Sequence, residues 1–402
     1  MSVKQVEGPC IKERMSNLSL LLNEKAYSEL LEKAGIQIYG VNIETDLLEK
    51  IGAGITVKEG GVGSGGRLRP ACLKLPNGLN VPMVAPSEES PYSLEFSGGK
   101  YLLAKNGHLL YDDVTFEKRP LFYSGQTSDG TPMRGIVTLV SRGCAATGSA
   151  PGCSFQARGE GCLFCNFYSR KGSHIRKKSP NHIAETVKAA YDEGAAWRVN
   201  FNGGVLGGRK EIDFYIEDLE AIFNLFGRRD LLASVCIAAP ADFNQIDRLK
   251  EAGFTDLAMN LEIWDKNIFK TVCPGKDRLT GWERWVEALE YGARVFGHGH
   301  VCTNFVTGIE PMKKTLEGVE YLASAGVVSF PAIFQPTPGT AYEGHRCPTP
   351  EWNLELHERT TEILRRNGFA FEHAINTHAV TNTLFQDVWR VADGHLSAFA
   401  SK

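Results

Sequence analysis

The chain has no run of eighteen apolar residues, and its N-terminus, MSVKQVEGPCIKERMS, lacks the apolar core of a secretion signal. A membrane span and an export route are therefore not expected, and the protein is expected to stay in the cytoplasm. Charge of one sign is also scarce. Lys and Arg number 44 against 47 Asp and Glu, a net charge of −3, so no basic surface points to a nucleic-acid partner. The Gly-rich run from Lys58 to Gly66 lacks the Gly-Lys-Ser/Thr ending of a phosphate loop, and no long helical pattern follows it. It reads as a surface loop or lid. There is no cobalamin-type Asp-x-His-x-x-Gly, and no run of paired cysteines near the C-terminus that would hold extra clusters.

What is present is cysteine. Ten of them in 402 residues, without an export signal, are expected to be thiols and metal ligands rather than disulfides. Four fall in one Gly-rich stretch from Cys144 to Tyr168: Cys144, Cys153, Cys162 and Cys165. Iron and zinc take cysteine as the thiolate, and glycines let the backbone wrap a metal centre. Structural zinc sites usually come as two paired Cys-x-x-Cys arms, and only Cys162 and Cys165 are so paired. An iron–sulfur cluster on three cysteines is the preferred reading, with a zinc-bearing, non-catalytic scaffold as the alternative. Cys153 is the preferred first ligand, because it closes a shorter loop than Cys144.

From Gly135 onward, apolar strands alternate with amphipathic helices. Strands are predicted at Ile136–Ser141, Trp197–Phe201, Leu232–Ala238, Asp256–Leu261, Val301–Val306 and Val327–Phe334. Six such units predict a partial (βα)6 parallel barrel over residues 131–370, with its active site at the C-terminal ends of the strands. Residues 1–130 are expected to form an N-terminal α+β extension. Its helix is predicted over Ser19–Gly35, and its hairpin within Tyr101–Phe122 turns at Asn106-Gly107. Residues 371–402 are expected to be a tail packing on the barrel. The basic run Arg170, Lys171, His174, Arg176, Lys177 and Lys178 reads as a solvated face or a docking patch for an acidic electron donor.

Two strand ends carry candidate ligand contacts. Asn202-Gly203-Gly204 allows close approach to the backbone. Asn260 and Glu262, at period two, can turn toward one ligand, and an amide with a carboxylate suits vicinal hydroxyls.

Cys162-Leu163-Phe164-Cys165 resembles the end of the Cys-x3-Cys-x-aromatic-Cys motif of the radical S-adenosylmethionine (SAM) superfamily, with the spacing before Cys162 widened. Asn260-Leu261-Glu262 followed by Trp282-Glu283-Arg284 resembles biotin synthase. The resemblance covers about residues 130 to 370. It implies a [4Fe-4S] cluster on Cys153, Cys162 and Cys165, with SAM on its open iron and Phe164 near the adenine. It implies Asn202, Gly203 and Gly204 at the SAM amino group, where Val205 replaces the family's acid. Contact there must then come from backbone carbonyls or a neighbouring side chain. It further implies Asn260 and Glu262 at the ribose, Arg284 at the carboxylate, and Gly308 and Glu310 in the segment beside the adenine. The implied function is reductive SAM cleavage to a 5′-deoxyadenosyl radical that abstracts hydrogen from a small-molecule substrate in cofactor or natural-product biosynthesis. A flavodoxin or ferredoxin would supply the electron. Cys236 and Cys302 fall where biotin synthase has ligands of a sulfur-donating auxiliary cluster, but Asn200 stands at a further ligand position. Sulfur insertion is therefore the lesser alternative, and both cysteines are expected to be core residues.

Overall fold

The computed structural model describes residues 21–52, 54–58, 69–140, 143–148, 152–165, 178–206, 209–376 and 383–394. The glycines of the run 60–66 and the basic run from Arg170 to Lys177 lie outside these residues.

Chain order starts with helix α1 (Glu24–Tyr39), displaced from the predicted Ser19–Gly35. Asn23 sets its start by accepting a hydrogen bond from the Ala26 N–H at 3.0 Å, and Gly40, at φ 70°, ends it. Gly35 is no terminator: a Cβ there would meet the Tyr92 hydroxyl at 2.3 Å, so the glycine serves packing. Then come β1 (Asn42–Ile43), α2 (Thr45–Gly52), β2 (Val57–Lys58), β3 (Arg69–Pro70), β4 (Cys72–Lys74) and β5 (Asn80–Pro82), followed by β6 (Tyr92–Ser97), β7 (Lys100–Lys105) and β8 (His108–Phe116). β2 and β3 pair alone, and the others form a six-stranded sheet ordered β1-β6-β7-β8-β4-β5. The predicted hairpin is β7–β8. Asn106 (φ 51°) and Gly107 (φ 77°) supply its two left-handed turn residues. Leu30 and Ile36 of α1 pack with Leu73, Val81 and Leu103 of the sheet into one apolar core.

The second sheet is the partial barrel, ordered β15-β14-β13-β12-β11-β10-β9. Its strands are β9 (Thr138–Val140), β10 (Cys144–Thr147), β11 (Arg198–Phe201), β12 (Leu232–Cys236), β13 (Asp256–Ala258), β14 (Val301–Val306) and β15 (Val327–Ala332). β10 to β15 run parallel, and β9 pairs antiparallel on the edge of β10. The predicted first strand is thus corrected. Within that segment only Thr138–Val140 is strand among the described residues, and it is the edge strand, while Cys144-Ala145-Ala146-Thr147 is the first parallel strand. Small residues of low strand propensity mask it in the sequence. Between strands lie the single turn α3 (Ser154–Ala157), then α4 (Pro180–Asp192), α5 (Arg209–Phe226), α6 (Asn244–Ala252), α7 (Lys266–Val272), α8 (Pro274–Leu279), α9 (Trp282–Phe296) and α10 (Met312–Ser324).

After β15 follow α11 (Pro350–Arg366), α12 (Phe371–Asn376) and α13 (Thr383–Ala392). α13 does not pack on the barrel alone. Phe385 and Trp389 enter the barrel core, while Leu384 and Val388 enter the N-terminal core. Asp387 of the same helix forms a buried ion pair with Lys33 of α1. With apolar side chains directed to both cores, α13 fastens the two units together.

Candidate functional site

Cys153, Cys162 and Cys165 line one cavity at the C-terminal ends of the barrel strands, together with Phe164 and the backbone of Gly203 and Gly204. The loop that carries them is stitched down. Ser154 N–H donates to the Val205 carbonyl at 2.6 Å, Leu163 N–H to Val272 at 2.9 Å, and Gly275 N–H to Glu160 at 3.0 Å. Two glycines make this possible. A Cβ on Gly204 would meet the Gly152 carbonyl oxygen at 2.1 Å, and one on Gly275 the Glu160 carbonyl oxygen at 2.5 Å. Cys144 is elsewhere, at the start of β10 and fully buried. Burial pushes its thiol up to about 11, with Arg198 opposing, so a thiolate is disfavoured there.

The same cavity is lined by Asn260, Glu262, Lys276 and Trp285. Ala258 pairs with Cys302 and Glu262 with Phe305, so one strand advances four residues while its neighbour advances three. This bulge, with Glu262 at φ 74°, aims both Asn260 and Glu262 at the cavity. Lys276 Nζ donates to Glu262 Oε1 at 2.8 Å and to the Asn260 carbonyl at 2.6 Å, and it lies 4.7 Å from the Trp285 ring centre. Asn304 Nδ2 donates to the other oxygen, Oε2, at 2.8 Å. Both Glu262 oxygens are therefore engaged by this chain, whereas the buried Asn260 Oδ1 has no partner among the described residues. Burial pulls the Lys276 pKa down, but Glu262 and the thiols of Cys162 and Cys273 raise it overall. At Cys162, a hydrogen bond from Cys273 lowers the pKa against burial, with Lys276 helping.

Four residues expected at the cavity do not line it. Arg284, on α9, has its side chain 38% exposed and binds Glu287 at 3.0 Å and the Ala241 carbonyl at 2.7 Å. Its guanidinium lies over Phe243, so the cation at the cysteines is Lys276 instead. Gly308 makes a tight turn at φ 77°, where a Cβ would meet Pro348 at 2.0 Å. Glu310 is buried and accepts from the N–H groups of Trp264 and Asp265 and from the Thr315 hydroxyl. It holds the backbone after Glu262. Asn202 is turned to its own strand, its Nδ2 donating to Asn200 Oδ1 at 2.6 Å.

Cys236 lines the cavity and receives a weak bond from Asn260 Nδ2 at 3.7 Å, and burial raises its pKa. Cys302 is fully buried in the barrel. Asn200 is fully buried and donates to Ser234 Oγ at 2.7 Å.

Sequence reasoning passed over Lys276, Cys273, Asn304 and Glu211. Cys273-Pro274-Gly275-Lys276 held the one available signal, a cysteine and a lysine beside a Pro-Gly start to a short helix. The donor set fits an iron–sulfur cluster with an organic ligand. It offers three soft thiols, the backbone of Gly203 and Gly204, and an unpartnered amide oxygen around one cavity.

Comparison with known proteins agrees in kind. Residues 149–322 match the family described as the Radical SAM superfamily. The chain is 28% identical over 258 residues to the bacteriochlorophyllide c C-7(1)-hydroxylase of Chlorobaculum limnaeum, covering 60% of this chain and 64% of that protein. The match thus spans less than two thirds of the curated relative. Similar solved structures include methylornithine synthase, with 14% identity, TM-score 0.44 and coverage of 60% of this chain and 69% of that one. Another is coproporphyrinogen III oxidase from Escherichia coli, with 15% identity, TM-score 0.38 and coverage of 60% and 56%.

Proposed function

We propose that this chain, whose residues 149–322 match the radical SAM superfamily, cleaves SAM at a [4Fe-4S] cluster and takes a hydrogen atom from a carbon of a small-molecule substrate. The observation that carries this reading is the single cavity shared by Cys153, Cys162, Cys165, Asn260 and Glu262. When bound, the cluster and SAM together supply a one-electron cleavage and a carbon-centred radical.

This chain's residues bind, orient and exclude water. Cys153, Cys162 and Cys165 would hold the cluster, and the fourth iron would stay open for SAM. Asn260 Oδ1 would accept a hydrogen bond from a hydroxyl of the SAM ribose, and Lys276 with Asn304 holds the Glu262 carboxylate fixed beside it. Phe164 and Trp285 supply apolar walls that keep solvent from the reacting carbon. The hydroxylase relative acts, by its name, at a carbon of bacteriochlorophyllide c, which supports a carbon–hydrogen bond as the target here. A flavodoxin or ferredoxin is the fitting electron donor.

The test is anaerobic reconstitution. A brown protein with about four irons per chain, an electron paramagnetic resonance signal that shifts on adding SAM, and 5′-deoxyadenosine formed with dithionite are the expected results. A colourless chain that binds zinc instead overturns the reading.

A further inference from the structure

Cys273 joins α7 to α8, is fully buried, and does not line the cavity that Cys153, Cys162 and Cys165 share. Its backbone is held on both sides. The Cys273 N–H donates to the Phe269 carbonyl at 2.8 Å, and the Cys273 carbonyl accepts from the Asp277 N–H at 3.0 Å.

Two further hydrogen bonds decide what its side chain faces. Leu163 N–H donates to the Val272 carbonyl at 2.9 Å, and Gly275 N–H donates to the Glu160 carbonyl at 3.0 Å. They join the two segments antiparallel in one common register, residue 163 with 272 and residue 160 with 275. That register sets Cys162 opposite Cys273. Gly275 permits the close approach, since a Cβ there would also meet the Phe155 ring at 2.8 Å. The two thiols accordingly meet, with Cys273 donating its S–H to the Cys162 sulfur. Burial is the chief reason that Cys273 keeps its proton.

We infer that Cys273 is a positioning residue for the cluster, whose S–H group donates to the Cys162 sulfur when that sulfur holds iron and so makes the cluster easier to reduce. The inference rests on the radical SAM reading and assigns a role to a cysteine outside the three iron ligands. A reduced cluster carries one more negative charge than an oxidised one, and part of that charge resides on the cysteine sulfurs. A donor aimed at one of them stabilises the reduced form more than the oxidised form, which raises the reduction potential. An S–H group is a weak donor, but at a fully buried position no solvent competes with it. One electron enters from the external donor, and the Cys273 proton stays where it is.

The experiment is a redox titration, followed by electron paramagnetic resonance without SAM, of reconstituted wild type, Cys273→Ala and Cys273→Ser. Iron per chain and far-ultraviolet circular dichroism are recorded for each. Alanine removes the donor, and serine keeps one as a hydroxyl. The Cys273→Ala midpoint should lie below that of wild type by about 59 mV, a tenfold change in the one-electron equilibrium, with about four irons per chain retained. Cys273→Ser should recover most of that shift. A Cys273→Ala midpoint equal to that of wild type overturns the inference. So does an equal shift in both variants, because that marks a change in packing. Loss of iron from both folded variants overturns it as well, since Cys273 would then be a ligand. Where Cys273→Ala does not fold, Cys273→Val, nearer the cysteine in volume and equally without a donor, takes its place with the same expected shift. A wild type that assembles no four-iron cluster overturns the inference together with the radical SAM reading, whereas an unchanged midpoint overturns the inference alone.

Discussion

Two buried lysine–carboxylate pairs occupy very different regions of this molecule. Lys33 and Asp387, with side chains 0% and 3% exposed, meet in the seam between the N-terminal core and α13, among Leu30, Leu384 and Val388. Lys276 and Glu262, 7% and 11% exposed, meet in the wall of the cysteine cavity. Both have left water, but only the second faces space that a ligand can enter. The backbone differs as well. Among the described residues, three non-glycine residues have positive φ, and Glu262 is the one outside the β7–β8 hairpin. A buried pair is weak evidence of stability by itself. A strained charged residue at a cavity points to function.

That contrast can be broken by mutation. Lys33→Ala strands Asp387 in the seam and should cost about 3 to 5 kcal/mol of stability, read as a lowered denaturation midpoint with unchanged iron per folded chain. The double change Lys33→Met with Asp387→Leu should restore most of that stability. At the cavity the same logic should fail. Lys276→Met with Glu262→Leu should fold, yet weaken SAM binding by about 2 to 5 kcal/mol. SAM binding that survives this double change would make the two pairs equivalent and end the comparison.

Arg284→Ala sharpens the point with a smaller effect. Its guanidinium is partly exposed and occupied by Glu287, so its loss should change SAM affinity by less than about 1 kcal/mol. A larger loss returns Arg284 to the site and displaces Lys276. Smallest is a third pair, His300 with Asp256 at 3.0 Å, at the N-terminal ends of the parallel strands β13 and β14. Its hydrogen bond to Asp256 raises the His300 pKa above the ordinary 6.5, against burial. A raised folded-state pKa adds stability that is fully present below the unfolded value and lost as pH rises through the folded one. The melting-temperature advantage of wild type over His300→Asn should therefore shrink as pH is raised above the ordinary histidine value. An advantage that grows with pH contradicts this. Because the His300 side chain is 43% exposed, the change should be the least of the series.

The parallel barrel was legible because its strands are continuous apolar runs between helices of regular period. β10 was not, because Cys144, Ala145 and Ala146 resemble the loop that follows. At the site, Cys153, Cys162, Cys165, Asn260 and Glu262 line one cavity, the last two by way of the bulge after β13 rather than by plain strand alternation. Arg284, Gly308 and Glu310 carried residue types suited to a ligand but are used for surface pairing, a tight turn and backbone capping. Asn304 and Glu211 could not be read in advance, and Lys276 only through the Cys273-Pro274-Gly275-Lys276 stretch. A lysine or glutamate on a helix reads as solvent-facing, and only the packing of α8 and the loop before α5 against the cysteine loop turns these side chains inward.

The central claim is that Cys153, Cys162 and Cys165 share one cluster while Cys144 serves the fold. It is tested most directly by iron content after anaerobic reconstitution of Cys153→Ala and Cys144→Ala, each normalised to folded protein. The account predicts little iron and no SAM-responsive resonance signal in Cys153→Ala, with about four irons per chain retained in Cys144→Ala. The reverse pattern, iron kept without Cys153 and lost without Cys144, would contradict it.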